Sequence, residues 1–256
     1  MNRAFGFVAK ACGLFVSALA VGCSATTSAA PRVAAHDVAT ECAGRKVTSD
    51  AELAALAGCS EVQGELQVSN VTSLEPLAGL RRIEGDLVVS DTTELDDLAG
   101  LEQLESCKNL IIARNADLDD VSALARLGSV DSLNVSRNPE LANLQGLSGL
   151  RRVNTLVLEH NGLYTTDGLE GVAEVGRMWI AHNPKLISIA ALNHASYVGE
   201  VVIKNNPRLS AYYGVLRGLA RMPERAVVEG NRGITSRETA LLWQRSPRTV
   251  AVRTNP

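Results

Sequence analysis

Apolar and polar positions repeat along the chain with a period close to 23 residues. In the clearest copy, Leu133 and Val135 alternate with polar residues, Asn138 follows, and leucines recur at every third position up to Leu150. The copies begin at eight anchor positions, 21 to 25 residues apart: Leu66, Leu87, Leu110, Leu133, Leu156, Met178, Val201 and Ala226. A fixed period of this size predicts a solenoid in which each repeat forms one coil.

The two halves of the repeat predict different local structures. The alternating half predicts a short strand whose anchor residue points inward. Apolar residues at every third position instead predict a tightly wound return segment, extended or 3₁₀-like. The Asn after the strand is expected to hydrogen-bond main-chain groups of the bend or of the neighbouring coil. Each coil buries roughly four or five aliphatic side chains, at ~1.5–3 kcal/mol each. Because backbone ordering costs ~1–2 kcal/mol per residue, a coil is stable only when stacked.

The N-terminal residues 1–22 predict a secretory signal, with Arg3 and Lys10 ahead of an apolar run. The run ends in Leu19-Ala20-Val21-Gly22-Cys23, which resembles the lipobox of bacterial lipoproteins, although Leu19 stands four residues before the Cys instead of three. The resemblance implies that Cys23 carries a lipid anchor and that Ser24 directs the protein to the outer membrane. The alternative is an ordinary secretory signal cleaved nearby.

Behind the signal, the composition predicts a tether and one domain. Residues 23–40 are small and polar, as in flexible linkers. Residues 41–256 predict a single β-solenoid of short parallel strands with little helix and a small helical cap at each end. The N-terminal cap covers 41–61, the coils 62–231 and the C-terminal cap 232–256. Thr235 and Glu238 have capping-box spacing and predict a short helix in the C-terminal cap.

The opening of the domain resembles the receptor L domain of the insulin and epidermal growth factor receptor ectodomains. Those domains begin with a Cys, a short strand and helix, a second Cys, and a strand of the pattern apolar-x-Gly-x-Leu-x-apolar, which here covers 62–68 and recurs at 83–89. Later coils, such as 118–124, resemble leucine-rich repeats of the internalin type. The resemblance extends over residues 42–231. It implies a right-handed coil and a Cys42–Cys59 disulfide, which a secreted context permits.

Charge and motifs argue against several classes of function. The formal net charge is −3, and −5 without the signal, so nothing indicates a nucleic-acid partner. The sequence has no Gly-rich phosphate loop, nucleophile elbow, Cys-x-x-Cys or His-Glu-x-x-His motif. We therefore expect no enzymatic activity and no cofactor, with a hydrolase as the weakest alternative. Cys107 is expected to be a free, half-buried thiol.

One outward column of the strands predicts a contact surface. Six of its eight residues are apolar: Gln67, Val88, Ile111, Asn134, Val157, Trp179, Val202 and Val227. An exposed apolar stripe is typical of an interaction site, and Trp is a common interface anchor. The alternative is that β-branched residues simply favour strands, or that loops cover the column.

A basic column, Arg114, Arg137, His160 and His182, runs beside it at the strand ends. The two histidines are expected ~5 Å apart on adjacent coils. Without a convincing third ligand beside Glu159 they predict a surface ladder and no metal site. The predicted partner-binding residues are thus Ile111, Arg137, Val157, His160, Trp179, His182 and Val202. The function expected is a lipid-anchored envelope protein that binds a protein or glycan; the alternative is a structural, self-associating envelope protein.

Overall fold

Parallel strands dominate the computed structural model, which describes residues 40–210, 219, 223–231 and the backbone of 250–253. The strands are β1 (Glu41–Val47), β2 (Glu61–Val68), β3 (Arg82–Ile83), β4 (Leu87–Ser90), β5 (Asn109–Ala113), β6 (Val130–Ser136), β7 (Arg152–Glu159), β8 (Glu174–Ala181), β9 (Tyr197–Lys204), β10 (Arg225–Glu229) and β11 (Val250–Arg253). One α-helix, α1 (Asp50–Ala54), lies between β1 and β2. The predicted signal, the tether up to residue 39 and Cys23 lie outside the described residues.

Ten strands form one parallel sheet in chain order, and β3 pairs with the start of β2. Neighbouring strands in this sheet are one repeat apart. The pairing register aligns all eight predicted anchors, from Leu66 opposite Leu87 to Val201 opposite Ala226. The predicted strand phase is therefore confirmed, and the fold is solenoid-like with almost no helix.

The core lies behind the sheet and is continuous from Val47 to Val228. Every anchor side chain is fully buried. The return segments bury the apolar residues spaced by three, and four of these segments contain 3₁₀ turns: Glu75–Leu77, Ser122–Leu124, Gln145–Leu147 and Ala190–His194. This confirms the predicted difference between the two halves of the repeat, because a 3₁₀ turn directs one side chain inward every third residue.

A disulfide joins Cys42 on β1 to Cys59, just ahead of β2. Between them, the Ser49 hydroxyl accepts a hydrogen bond from the Glu52 backbone at 3.3 Å, and the Glu52 carboxylate accepts one from the Thr48 backbone at 2.7 Å. These bonds pair N–H groups at the start of α1 that the helix itself cannot satisfy. The disulfide implied by the family resemblance is confirmed.

The strand β11 lies within residues 232–256, where the sequence predicted only a helical cap. It extends the sheet beyond β10, with Ala226 opposite Val250. The strand was missed although its sequence has the repeat pattern: Val250 and Val252 alternate, and Asn255 follows Val250 by five residues, as Asn231 follows Ala226. The helix predicted to begin near Thr235 lies outside the described residues.

Candidate functional site

A buried column of polar side chains, called the ladder below, follows the strands at the position five residues after seven of the eight anchors; after Leu66 this position is Val71. Its members are Thr92, Asn115, Asn138, Asn161, Asn183, Asn206 and Asn231, and all of them are buried. Each Asn side-chain oxygen accepts the backbone N–H of the equivalent residue on the preceding coil, at 2.9–3.3 Å. Each Asn amide also donates to a strand carbonyl of the preceding coil. This confirms the predicted main-chain role of the Asn.

The residue four positions after each anchor adopts a left-handed backbone. This left-handed column consists of Asn70, Asp91, Arg114, Arg137, His160, His182, Asn205 and Gly230, with φ between 50° and 73°. Gly, Asn and Asp accept this conformation readily, whereas other residues pay roughly 1–2 kcal/mol. The four costly members are the four residues of the predicted basic column, Arg114, Arg137, His160 and His182. The turn at this position directs the side chain of the next residue into the buried ladder. The side chains of the left-handed column themselves lie at the ends of the strands.

The two arginines of this column have different environments. Arg114 donates Nε and Nη2 to the two carboxylate oxygens of Asp91, at 2.5 and 2.7 Å. These hydrogen bonds lower the pKa of Asp91, and its carboxylate in turn raises the pKa of Arg114. Arg137 is exposed and forms no ion pair with any described residue. Of the two, Arg137 has the guanidinium group that is free to bind a partner.

The outward column places Trp179 directly between Val157 and Val202 on the neighbouring strands. Trp179 and Val157 are half-buried and lie on the outer face of the sheet, as predicted. Val202 is different: only 6% of it is exposed. In the outward column Val202 lies between Trp179 and Val227, and it is the least exposed of the three apolar residues in the row with Val157 and Trp179.

Ile111 lies two strands away from Val157 in the same column, separated by Asn134. Ile111 is half-buried. The Asn134 side-chain oxygen is buried and has no hydrogen-bond partner among the described residues. The predicted site is therefore two apolar areas on one face, Ile111 on one side and the row Val157, Trp179 and Val202 on the other, divided by one polar side chain.

The two histidines stack across adjacent coils. The ring centroids of His160 and His182 are 4.6 Å apart, and the rings are within 5° of parallel. Glu159, the last residue of β7, brings a carboxylate oxygen to 3.8 Å from His160 Nε2. The Asn205 side-chain amide contacts His182 Nε2 at 3.4 Å. The structure thus brings the two histidines together with the Glu159 carboxylate, which from the sequence was not expected to act as a third ligand.

A groove of about 600 Å³ opens beside the histidines. Its far side is formed by the residues that follow the ladder, among them Pro139, Gly162, Pro184 and Pro207. Lys185 also lines the groove. Its Nζ lies 3.5 Å from the Pro139 carbonyl oxygen and 5.8 Å from the centroid of the Tyr164 ring. This groove was not predicted, although the sequence contains a signal for it: Pro or Gly directly follows the Asn in four successive repeats.

The Cys107 thiol is free and buried, more deeply than predicted. Burial raises its pKa to about 12, and the nearby Asp86 carboxylate adds to the shift. Because the thiolate is the nucleophilic form of cysteine, this environment suits a packing role.

In the part of the chain that the structure describes, no helix has the length and apolar character needed to cross a membrane. No protein-family model matches the sequence, and no curated protein is significantly similar to it.

Proposed function

We propose that this protein binds a protein or glycan partner through the outer face of its parallel sheet, without catalysing a reaction. The observation that carries the proposal is the position of Trp179, half-buried on the outer face in register with Val157 and Val202. Tryptophan at an interface combines a large apolar area with an N–H donor. Arg137, which forms no ion pair with any described residue, adds a cation in the left-handed column at the strand ends.

The predicted anchor places this surface on the bacterial cell envelope, at the outer membrane. The lipobox-like segment ending in Cys23 supports this location. The family resemblance supports a right-handed coil with capped ends, and right-handed crossovers are the rule between parallel strands. A Cys23→Ala variant should move from the membrane fraction to the soluble fraction. If the variant fractionates and is processed as the parent protein is, the lipid anchor is wrong.

The binding proposal is tested with Trp179→Ala. The partner is first captured from envelope extracts, and its affinity for the parent protein and the variant is then measured. If Trp179 anchors the interface, its truncation should cost ~2 kcal/mol or more, which is about 30-fold in Kd. Thermal stability should change little, because the adjacent inward residues Met178 and Ile180 remain in place.

Ile187→Ala provides the matched control. Ile187 is 39% exposed and lies outside the strands, so its truncation also removes an accessible apolar side chain. Its effect on affinity should be small. Equal losses in the two variants, or unfolding of Trp179→Ala with unchanged affinity per folded molecule, would contradict a binding role for the outer face. Concentration-dependent association without any captured partner would instead favour the structural, self-associating alternative.

A further inference from the structure

We propose that Glu159, His160 and His182 bind a divalent transition-metal ion of the Zn²⁺, Cu²⁺ or Ni²⁺ class. This site goes beyond the proposed partner binding, and its occupancy is measurable without any partner. Among the described residues, this is the one group of three potential ligands whose donor atoms come close together, all within 4.8 Å of one another. Imidazole nitrogens favour these ions, whereas Ca²⁺ and Mg²⁺ prefer sites built from oxygen alone.

Side-chain rotation is needed to assemble the site, because the nearly parallel rings hold their nitrogen lone pairs in separate parallel planes. A metal ion lies about 2.0–2.1 Å from an imidazole nitrogen, so two such ligands in a tetrahedral site stand about 3.3 Å apart. The donor atoms already lie within 4.8 Å. The His160 side chain is 47% exposed and that of Glu159 33% exposed, so their torsions can change without disturbing the core. To bind one ion, one imidazole ring would have to turn out of the stack so that a nitrogen of each ring faces the ion.

The backbone fixes the two histidines in advance. His160 donates its backbone N–H to the Ala181 carbonyl at 3.2 Å, and His182 donates to the Lys204 carbonyl at 3.0 Å. The next residue after each, Asn161 or Asn183, is a buried member of the ladder. Ligands held on rigid, hydrogen-bonded segments lose less conformational freedom when the ion binds.

The left-handed column shows that histidine is not required for the fold at these positions. Asn205 and Asn70 occupy equivalent positions with φ of 53° and 50°. Asn accepts this conformation more readily than most residues. A His182→Asn variant therefore keeps the backbone while removing one ligand, which separates metal binding from folding.

The surroundings of the three ligands leave space for a further ligand of the metal ion. Three protein ligands leave at least one coordination position for water or for a partner's ligand. The adjoining groove of about 600 Å³ leaves room on that side. Lys185 is the cation that lines the groove, and its Nζ is directed to the Pro139 carbonyl and the Tyr164 ring. The Glu159 carboxylate supplies the negative charge that attracts a dication.

The test is calorimetric titration of the full-length protein, purified in detergent without a polyhistidine tag, with ZnCl₂ and separately with CaCl₂. We expect one saturable Zn²⁺ site with micromolar affinity and no Ca²⁺ binding. His182→Asn and Glu159→Gln should each weaken Zn²⁺ binding at least tenfold. Arg137→Asn, a substitution in the same left-handed column but outside the cluster, should leave Zn²⁺ binding unchanged.

Circular dichroism of each variant verifies that the fold is retained. Absence of a saturable Zn²⁺ isotherm would overturn the proposal. So would an isotherm that His182→Asn leaves unchanged, because the ion would then be bound elsewhere, for example at His36 or His194. Weakening by His182→Asn but not by Glu159→Gln would overturn the assignment of the carboxylate as a ligand.

Discussion

Asn138 donates two hydrogen bonds to a single oxygen of Asn161. Its backbone N–H lies 3.1 Å and its side-chain amide 3.2 Å from Asn161 Oδ1. The same Asn138 amide also donates to the Ile112 carbonyl at 3.0 Å. Each buried rung therefore satisfies polar groups of the coils on either side, and connected hydrogen bonds of this kind strengthen one another. The ladder pairs the backbone groups that the turn after each strand would otherwise leave buried without partners.

Removing one rung should destabilise the whole fold. Asn161→Ala leaves both Asn138 donors without their acceptor, and the Val135 carbonyl loses the Asn161 amide that donates to it at 2.7 Å. Each buried group left unpaired costs ~1–3 kcal/mol, so the variant should lose roughly 3 kcal/mol or more of unfolding free energy. Urea unfolding monitored by circular dichroism measures this loss. Asn193→Ala is the control, because Asn193 is exposed in the Ala190–His194 turn and should change stability by less than about 0.5 kcal/mol. Similar losses in both variants would refute a structural role of the ladder.

The Cys42–Cys59 disulfide should stabilise the N-terminal end of the sheet. It closes a segment with a sequence separation of 17 residues, for which the chain-entropy model gives about 3 kcal/mol. We expect Cys42→Ala/Cys59→Ala to lower the free energy of unfolding by that order. Alkylation followed by peptide mapping should label Cys42 and Cys59 only after reduction. Labelling of both without reductant would show that the bond is absent from the folded protein.

Cys107 should react slowly with iodoacetamide in the folded protein at pH 8. Its pKa is raised to about 12 by burial and by the nearby Asp86, so almost no thiolate is present. Adding denaturant should restore the reactivity of an ordinary thiol. Rapid labelling of the folded protein, at the rate seen in urea, would contradict the buried position.

The raised pKa of Cys107 makes the free energy of unfolding depend on pH. The folded pKa lies above the unfolded value of about 8.5, so the unfolded chain ionises first as the pH rises. Stability is unaffected by Cys107 below pH ~8.5 and falls as the pH rises from there toward the folded pKa. Cys107→Ala should show a shallower decline over this range than the parent protein. Identical slopes would show that Cys107 does not contribute.

The strand register could be predicted from sequence because burial alone fixes it. A shift of one residue would move Leu133 and Val135 to the outer face, so only one phase hides the leucines. The return segments follow by the same reasoning from the spacing of three. The ladder could be predicted in part, because an Asn that recurs after successive strands predicts hydrogen bonds to main-chain groups.

The left-handed backbone of this column could not be predicted from its four central residues, two arginines and two histidines. Arginine carries no local preference for positive φ and histidine only a weak one, so the conformation is indicated by Asn70, Asp91, Asn205 and Gly230 at equivalent positions. The carboxylate position of Glu159 was equally hidden, because it depends on side-chain torsions. The burial of Val202 was hidden as well, because repeat spacing fixes which face a side chain lies on but not how far it is covered there.

One core position carries a polar side chain whose replacement should stabilise the protein. Thr166 occupies the repeat position that Leu144 and Ile189 hold in the neighbouring coils, and it is fully buried. Its hydroxyl has no hydrogen-bond partner among the described residues. Because an unpaired buried hydroxyl costs ~1–3 kcal/mol and valine has nearly the same shape, Thr166→Val should raise the free energy of unfolding by roughly 1 kcal/mol.

Thr165→Val is the control that separates removal of the unpaired Thr166 hydroxyl from any general stabilising effect of valine. The Thr165 hydroxyl accepts a hydrogen bond from the Asp167 backbone at 3.4 Å, so Thr165→Val should be neutral or slightly destabilising. Urea unfolding of both variants, with an unchanged dependence on denaturant, makes the comparison quantitative. If Thr166→Val lowers stability instead, the Thr166 hydroxyl is hydrogen-bonded in the folded protein. Thr166 would then stabilise the core of its own coil, which lies between the coil of Asn138 and the coil of His182.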